Sequence, residues 1–314
     1  MTGPSDDRGL LRACAFAGAC ALVVVALVAW RRVTGLEGDV ITTHCQRWRD
    51  KRGTYRVPNE VIQTRDYAVA EIPTDNEAKA FVMQHHYSGT YPAARMRAGL
   101  YRRGGELVGV AVLSTPASQA ALDKALPVGG DGRADLGRLV LLDDVPSNAE
   151  SWFLARMFEL ARAQGFVAVS ADSDPAKRCD AAGRVVFAGH IGTVYQATNA
   201  RYTGRSNRHT VRLFLDDHTV FSNAAWGKLR ARKRGWNYVA EKLCRHGASK
   251  PPAFSVGDST WRAWVSSAVE ATTRGVRHPG NHRYVWALDK RLWSEMPHGM
   301  PYPKLEVPRG ELAA

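Results

Sequence analysis

Cysteine is scarce in this chain, and its few cysteines are scattered. The 314 residues include five of them, at Cys14, Cys20, Cys45, Cys179 and Cys244, and no two form a Cys-x-x-Cys pair. An odd and unpaired set predicts neither a disulfide framework nor a zinc knuckle, and it fits a reducing compartment. Internal repeats and low-complexity tracts are also missing, which argues against a repeat architecture.

Acidic residues are few relative to basic ones. The chain has 30 Asp and Glu against 43 Lys and Arg, a formal net charge of +13. A surplus of this size bears on partners rather than on fold, and it predicts nucleic acid or an anionic membrane surface as a partner.

One long segment lacks any charge, from Ala13 to Trp30. As a helix it would span roughly 27 Å, close to the thickness of a bilayer core. Arg31 and Arg32 follow at once, so the positive-inside rule places the rest of the chain in the cytoplasm. A second interpretation stays open, in which residues 1 to 40 are read-through upstream of a start near Val40. We therefore expect a cytoplasmic protein, either free or anchored through Ala13–Trp30.

Hydrophobic periodicity predicts mixed strands and helices from residue 45 onward. Strands are predicted at 67–72, 99–103, 106–114, 136–142, 166–171, 193–196, 211–215 and 284–288. Helices are predicted at 75–84, 118–126, 147–164, 222–244 and 261–272. Thr74 and Ser147 are the predicted N-caps of the first and third helices, with Glu77 and Glu150 as their capping-box partners. The predicted regions are an apolar segment 1–44, a catalytic domain 45–220, a basic helical region 221–295 and a tail 296–314.

This element order resembles the GNAT acyltransferases. It predicts an α/β fold with a GNAT-like mixed sheet flanked by helices, and a basic helical C-terminal extension. In that fold a strand leads into a helix whose N-terminus holds the coenzyme A pyrophosphate, here 136–142 followed by 148–164. The usual glycine-rich signature is missing, and Asp143-Asp144-Val145-Pro146-Ser147-Asn148 stands in its place. Standard coenzyme A binding is therefore in doubt.

Four local patterns carry a more specific resemblance. They are His85-His86-Tyr87-Ser88, Gly137-Arg138-Leu139 with the segment 146–151, Ser170-Ala171-Asp172-Ser173-Asp174, and the segment 192–204 with its Tyr195-Gln196-Ala197-Thr198-Asn199 run. In this order they resemble the phage Mom family of DNA-modifying proteins. The resemblance implies a GNAT-like enzyme that converts the adenine amino group in duplex DNA to a carbamoylmethyl derivative and so protects DNA from restriction.

The matching positions have plausible chemistry for that reaction. His86 is a candidate base or metal ligand, and Asp172, at the end of a predicted strand, is a candidate proton acceptor. Tyr87 would orient the substrate, and Tyr195 would stack on an extruded adenine that Asn199 recognises. Structural alternatives stay open: Tyr87 as a half-buried loop aromatic, Tyr195 as a core aromatic, and an Asx-turn before Pro175, which suits Asp174 better than Asp172.

The group donor and a metal are further expectations. Ser151, on the first turn of the pyrophosphate-type helix, is expected to bond the donor or the backbone, and Tyr91 is a second candidate substrate-binding residue. A small molecule is expected as the donor, and an acyl-CoA type is one candidate. The resemblance also implies iron(II), for which His86, Tyr87 and Asp172 are the candidate ligands.

A basic stretch gives independent support for a nucleic-acid partner. Five cations fall within seven positions, and a tryptophan follows: Lys228, Arg230, Arg232, Lys233, Arg234 and Trp236. Cations of this density suit phosphates, and the indole suits base stacking or wedging. A solvated helix face is the alternative. Double-stranded DNA is the expected partner. Two other functions remain open: a GNAT N-acetyltransferase acting on a protein or small amine, and a non-catalytic, membrane-tethered DNA-binding protein.

Overall fold

The computed structural model describes residues 45–57, 60–116 and 118–304. In chain order its strands and helices are β1 Cys45–Arg49, β2 Arg52–Arg56, β3 Tyr67–Glu71, α1 Asp75–His85, β4 Ala94–Arg102, β5 Leu107–Ser114, α2 Gln119–Ala125, β6 Arg133–Leu141, α3 Ala149–Ala163, β7 Ala168–Ser173, β8 Arg178–Cys179, β9 Val185–Phe187, α4 Thr193–Ala197, β10 Arg201–Arg205, β11 His209–Phe214, β12 Val220–Phe221, α5 Asn223–Arg230, α6 Trp236–Arg245, α7 Asp258–Thr272, β13 Thr273–His278 and β14 His282–Ala287. Single 3-10 turns lie at Thr64–Asp66 and Lys290–Ser294.

The main sheet has seven strands in the order β10-β14-β7-β6-β5-β4-β3. Its neighbouring strands are antiparallel except for β6 and β7, which α3 connects as a parallel pair. The interior strand β5 is buried continuously from Val108 to Ser114. A strand with no exposed face must be covered on both sides, which fits a sheet flanked by helices. The prediction of a mixed, mostly antiparallel α/β sheet is confirmed.

A second, smaller layer follows β10. Strands β12, β11 and β13 form a three-stranded antiparallel sheet, and helices α5, α6 and α7 share a hydrophobic cluster with it around Phe214 and Trp261. After β13 the chain returns to the main sheet as β14, between β10 and β7. The last strand is therefore needed to complete the sheet that the first half of the chain begins.

Two predicted elements are wrong. The long basic helix 222–244 is two helices, because Arg232 and Gly235 have φ of 48° and 87° in the turn that separates α5 from α6. A left-handed backbone cannot continue a right-handed helix. The predicted strand 193–196 is the helix α4, which follows the left-handed Gly192 and is too short for its sequence to show a helical period.

The predicted capping boxes are also corrected. Asn148, not Ser147, is the N-cap residue of α3, and Glu150 pairs with Arg47 instead of a cap. Thr74 occupies the N-cap position of α1 as predicted, but its side chain makes no capping hydrogen bond. Ser118, whose hydroxyl accepts from the backbone N–H of Ala121 at 3.3 Å, caps α2 through its side chain.

Within the described residues no helix combines the length and apolarity needed to cross a membrane. The predicted segment Ala13–Trp30 lies outside the described residues.

Candidate active site

The main sheet opens between its two parallel strands. Strands β6 and β7 pair only over Arg133–Asp135 and Ala168–Ser170, and beyond Asp135 they separate. At the same point β6 carries a bulge, because Val112 of β5 faces Arg138 while Leu113 faces Leu136, which leaves Gly137 unpaired. Bulges next to a sheet opening commonly redirect side chains into a site.

Gly137 and Arg138 attach the loop after α1 to this opening. A Cβ on Gly137 would clash with the Ser114 hydroxyl of β5 and would lie only 3.1 Å from Pro92 in the loop, so a side chain here would crowd both neighbours. The Arg138 guanidinium donates to the backbone carbonyl of Thr90 at 3.0 Å and also to the Thr90 hydroxyl. Burial lowers the pKa of Arg138.

His86 and Tyr87 stand at the start of that loop. His86 is the C-cap residue of α1, is buried, and has its Nδ1 2.9 Å from the Ser88 hydroxyl. Burial, with Arg138 and His190 nearby, lowers the pKa of His86 to about 3. The Tyr87 ring stacks on Phe187 at 4.3 Å and lies 4.9 Å from Trp48. Burial raises the pKa of its phenol.

Asp135 is the carboxylate that sequence reasoning missed. It is half-buried at the last position where β6 pairs with β7, and the Ser170 hydroxyl donates to its Oδ1 at 2.9 Å. Burial, reinforced by the charge of Asp172, raises the pKa of Asp135 to about 6. Asp172 is the more exposed of the two and accepts from the Arg283 guanidinium at 3.2 Å. Ser170 and Asp172, two positions apart, share one face of β7.

Tyr195 and His190 form the deeper side of the cluster. Tyr195 is only 6% exposed, and its ring meets Tyr284 and Trp286 edge-on, both at 5.4 Å. Burial, followed by the charge of Asp135, raises the pKa of Tyr195. The ring therefore has the contacts of a core aromatic, as the structural alternative holds. Burial lowers the pKa of His190 to about 4.

The four residues predicted as catalytic thus lie around Asp135 and Arg138. Electrostatic effects on the pKa values reflect this proximity. The charges of Asp172 and Arg138 act on the pKa of Asp135, the charge of Arg138 acts on the pKa values of His86 and Tyr87, and the charge of Asp135 acts on the pKa of Tyr195. One feature of the sequence points to Asp135: it is an acidic residue in a segment whose other residues are typical of a buried strand. His190 has no signal of that kind in the sequence.

The three predicted substrate-binding residues have structural contacts of their own. Asn199 is exposed and has φ of 58°, the left-handed conformation that ends α4 and that asparagine tolerates. The Ser151 hydroxyl donates to the Asn148 carbonyl at 3.0 Å, and the Tyr91 hydroxyl donates to Asp75 at 3.1 Å. A direct role of these residues in binding stays a prediction.

The predicted DNA-binding residues divide into two groups. Lys228, Arg230, Lys233 and Arg234 are exposed around the turn between α5 and α6. Arg232 instead donates to the Val256 carbonyl at 2.8 Å and lies 4.7 Å over the Trp261 ring. Trp236 is half-buried, stacked on Phe254 at 5.4 Å and edge-on to Trp261. Arg232 and Trp236 therefore stabilise the packing of the second, smaller layer.

The helix end that would hold coenzyme A in a GNAT protein is filled by the chain itself. The backbone N–H of Ser147 donates to the Glu60 carboxylate at 3.0 Å. The buried Arg47 donates to the Val145 carbonyl at 3.1 Å, to the Pro146 carbonyl and to Glu150 on the first turn of α3. Two carboxylates, each paired with an arginine, therefore occupy the place where a pyrophosphate would bind. These residues do not fit coenzyme A in the standard position.

Acetyl-CoA should consequently show no saturable binding to the full chain in isothermal titration calorimetry. The physical reason is that Glu60 and Glu150 already satisfy the positive end of α3. Saturable binding that Ser151→Ala weakens would contradict this, because it would place the donor at the first turn of α3 after all.

The predicted iron ligands have surroundings that oppose a cation. His86 uses Nδ1 toward Ser88, Arg138 lies near both His86 and Tyr87, and Asp172 pairs with Arg283. In the described part of the chain, three ligand atoms from His, Cys, Asp or Glu come within 4.8 Å of one another at Asp216, Asp217 and His246, outside this cluster. The three residues do not fit a ferrous ion in this arrangement.

The strand order and the separating parallel pair define an α/β protein with a mixed sheet, and the polar cluster lies beside the opening of that sheet. Among solved structures, a tandem GNAT protein from the clavulanic acid biosynthesis pathway, without acetyl-CoA, is similar at 14% identity and a TM-score of 0.31, over 48% of each chain. This chain thus spans about half of that protein. A candidate acetyltransferase from Pyrococcus horikoshii is similar at 12% identity and a TM-score of 0.33, over 80% of this chain and 99% of that one.

The family follows from a separate comparison. The Mom protein family model matches residues 66–304, which is most of the chain, and the chain belongs to this family. No curated protein matches. The predicted resemblance to the Mom family is confirmed, and membership supports a DNA-modifying or transferase-like role.

Proposed function

We propose that this protein is a DNA modification enzyme that converts the amino group of adenine in duplex DNA to a carbamoylmethyl derivative. The observation that carries the proposal is the convergence of His86, Tyr87, Asp172 and Tyr195 around Asp135 and Arg138 at the opening between β6 and β7. A half-buried cluster in a sheet cannot reach a base inside a duplex, so the target adenine would have to be extruded. The benefit would be resistance of the DNA to restriction.

The transfer needs a proton acceptor near neutral pH. The adenine amino nitrogen would form a bond to the donor carbon while the donor's leaving group departs with its electron pair, and one N–H proton would pass to a carboxylate. Asp135 suits this step best, because its pKa is raised to about 6 and an efficient base has a pKa close to the working pH. His86, with its pKa lowered to about 3, is too weak a base for the role we first expect from its sequence. Asp172 contributes by raising the pKa of Asp135.

The two competing functions have less support. An acetyltransferase that uses coenzyme A would need the end of α3 that Glu60 and Glu150 fill. A purely structural DNA-binding protein has no use for the half-buried Asp135, since a carboxylate with a raised pKa costs stability and is typical of functional sites. DNA as substrate and a small-molecule donor complete the proposal.

Expression in bacteria tests it. Genomic DNA from the expressing cells, digested to nucleosides and analysed by mass spectrometry, should contain a deoxyadenosine that carries one added carbamoylmethyl group. Unmodified DNA together with newly acetylated protein or amine would favour the acetyltransferase instead.

Single substitutions in the cluster should remove the modified nucleoside without unfolding the protein. We expect this for His86→Ala, Tyr87→Phe, Asp172→Asn and Tyr195→Phe, because each change removes a polar group of the cluster around Asp135 and Arg138 and leaves most of the packing. Glu159→Gln, on the exposed face of α3, is the matched control and should retain the parent level. Full modification by both His86→Ala and Asp172→Asn would exclude the proposed site, and loss of folding would favour purely structural roles.

A further inference from the structure

A basic groove lies between the β8–β9 hairpin and one face of the three-stranded sheet. Its cavity volume is about 350 Å³. Val211 and Leu213 of β11 and Val276 of β13 form an apolar floor, and Lys177 and Arg274 stand beside it. The register pairs Val211 with Val276 and Leu213 with Arg274, so these four side chains share one face of the sheet.

The charge of the groove is uncompensated. Lys177 and Arg274 are exposed, and neither has a salt-bridge partner among the described residues. The acids next to the groove are already paired, Asp180 with Arg184 and Asp174 with both Arg178 and His278. A groove with an apolar floor and free cations therefore matches a ligand with both anionic and apolar parts.

Side-chain contacts link the groove to the candidate active site. Arg178, which lines the groove, lies 5.1 Å over the Phe187 ring, and Phe187 stacks on Tyr87. On the other side His278, also in the groove wall, has Nε2 2.9 Å from Asp174. The N–H of Gly280 donates to Nδ1 of His278, so the ring proton is on Nε2 and this N–H donates a hydrogen bond to Asp174. Asp174 follows Asp172 by two residues, and its backbone carbonyl accepts from the N–H of His190 at 2.8 Å.

From these contacts and the unpaired cations we propose that the groove binds the sugar-phosphate backbone of the DNA strand next to the target adenine. The proposal rests on the proposed function. Phosphates would meet Lys177 and Arg274, and the apolar sugar edges would cover the valines. A strand held there leads toward the opening between β6 and β7, so binding would deliver the extruded adenine to Asp135. The groove and the exposed cations at 228–234 lie on different sides of the three-stranded sheet. Arg212 and Phe214 of β11 point to the face opposite the groove, where they contact the helices α5 to α7.

The test is DNA binding as a function of salt, with the full chain and a fluorescein-labelled duplex in fluorescence anisotropy. The double variant Lys177→Gln/Arg274→Gln should bind at least several-fold more weakly, and the slope of log Kd against log salt should fall by about 2, near 0.9 for each lost phosphate contact. The control is Arg65→Gln/Arg103→Gln, two exposed cations beside β3 at the far edge of the main sheet. It should keep nearly the parent slope.

Two outcomes would overturn the groove proposal. One is an unchanged salt slope for the groove variant. The other is that the slope falls only when Lys228, Arg230, Lys233 and Arg234 are replaced by Gln, which would place DNA on the turn between α5 and α6. Nucleoside mass spectrometry separates this from the proposed function: if the parent modifies DNA and the groove variant does so fully, only the groove proposal fails, whereas no modification by the parent defeats the proposed function.

Discussion

The Asp135→Asn variant should be inactive and, at pH 8, more stable than the parent. Asp135 has a pKa raised from 3.8 to about 6 by burial and by Asp172, so its ionised form is the less favoured one in the folded state. Stability linked to a raised pKa is fully present below the unfolded value and is lost as the pH rises through the folded one. Ionisation at pH 8 therefore costs up to about 3 kcal/mol, which the neutral amide avoids.

Urea denaturation at a series of pH values measures this effect. The advantage of Asp135→Asn should be largest at pH 8 and should shrink as the pH falls toward 4, where the parent carboxyl is protonated as well. Asp131→Asn, in the exposed loop before β6, is the control and should show no such trend. A variant that is less stable than the parent at pH 8 would mean that Asp135 is favourably ionised, and the argument for it as a tuned base would fail.

Replacing Arg47 should produce the largest loss of stability in the chain. Arg47 is fully buried and its guanidinium pairs with Glu150 while donating to the Val145 and Pro146 carbonyls. Arg47→Met leaves the buried Glu150 carboxyl without its ion-pair partner and removes the guanidinium donor from both carbonyls. Removing one partner of a buried ion pair typically costs about 3–5 kcal/mol.

A pair of further variants separates this cause from simple loss of packing. Arg49→Met removes a neighbouring arginine of β1 whose pairing with Asp143 is at the surface, and it should cost at most about 1 kcal/mol. The double variant Arg47→Met/Glu150→Leu should recover part of the loss, since two apolar side chains can replace a buried pair. The same double variant unfolding as readily as the single one would show that shape, not charge, is what Arg47 contributes.

The sequence predicts the strands and helices of the main sheet well because their patterns are local. The strands at β3, β4 and β5 and helices α1 and α3 follow from apolar periodicity with turn residues at their ends. The wrong assignments arise where a single backbone conformation decides the outcome. The φ of 48° at Arg232 and the left-handed Gly192 end or begin helices, and no side-chain period reports them.

The sequence predicts only some of the residues of the site, and the reason differs from that for the helices and strands. His86, Tyr87, Asp172 and Tyr195 stand in recognisable runs, and the fold brings them to one place. Asp135 belongs to the site only because β6 separates from β7 just beyond it, a fact of sheet register that depends on residues far apart in the chain. The same distance hides Glu60 and Arg47 at the end of α3, which come from the N-terminal hairpin region.

The most direct test of the central claim compares nucleosides from the DNA of bacteria that express the parent chain or its Asp135→Asn variant at equal protein levels. We predict carbamoylmethylated deoxyadenosine with the parent, and none with the variant although that protein is folded and binds DNA. The modified nucleoside at the parent level in the variant, or its absence from both, would contradict the account.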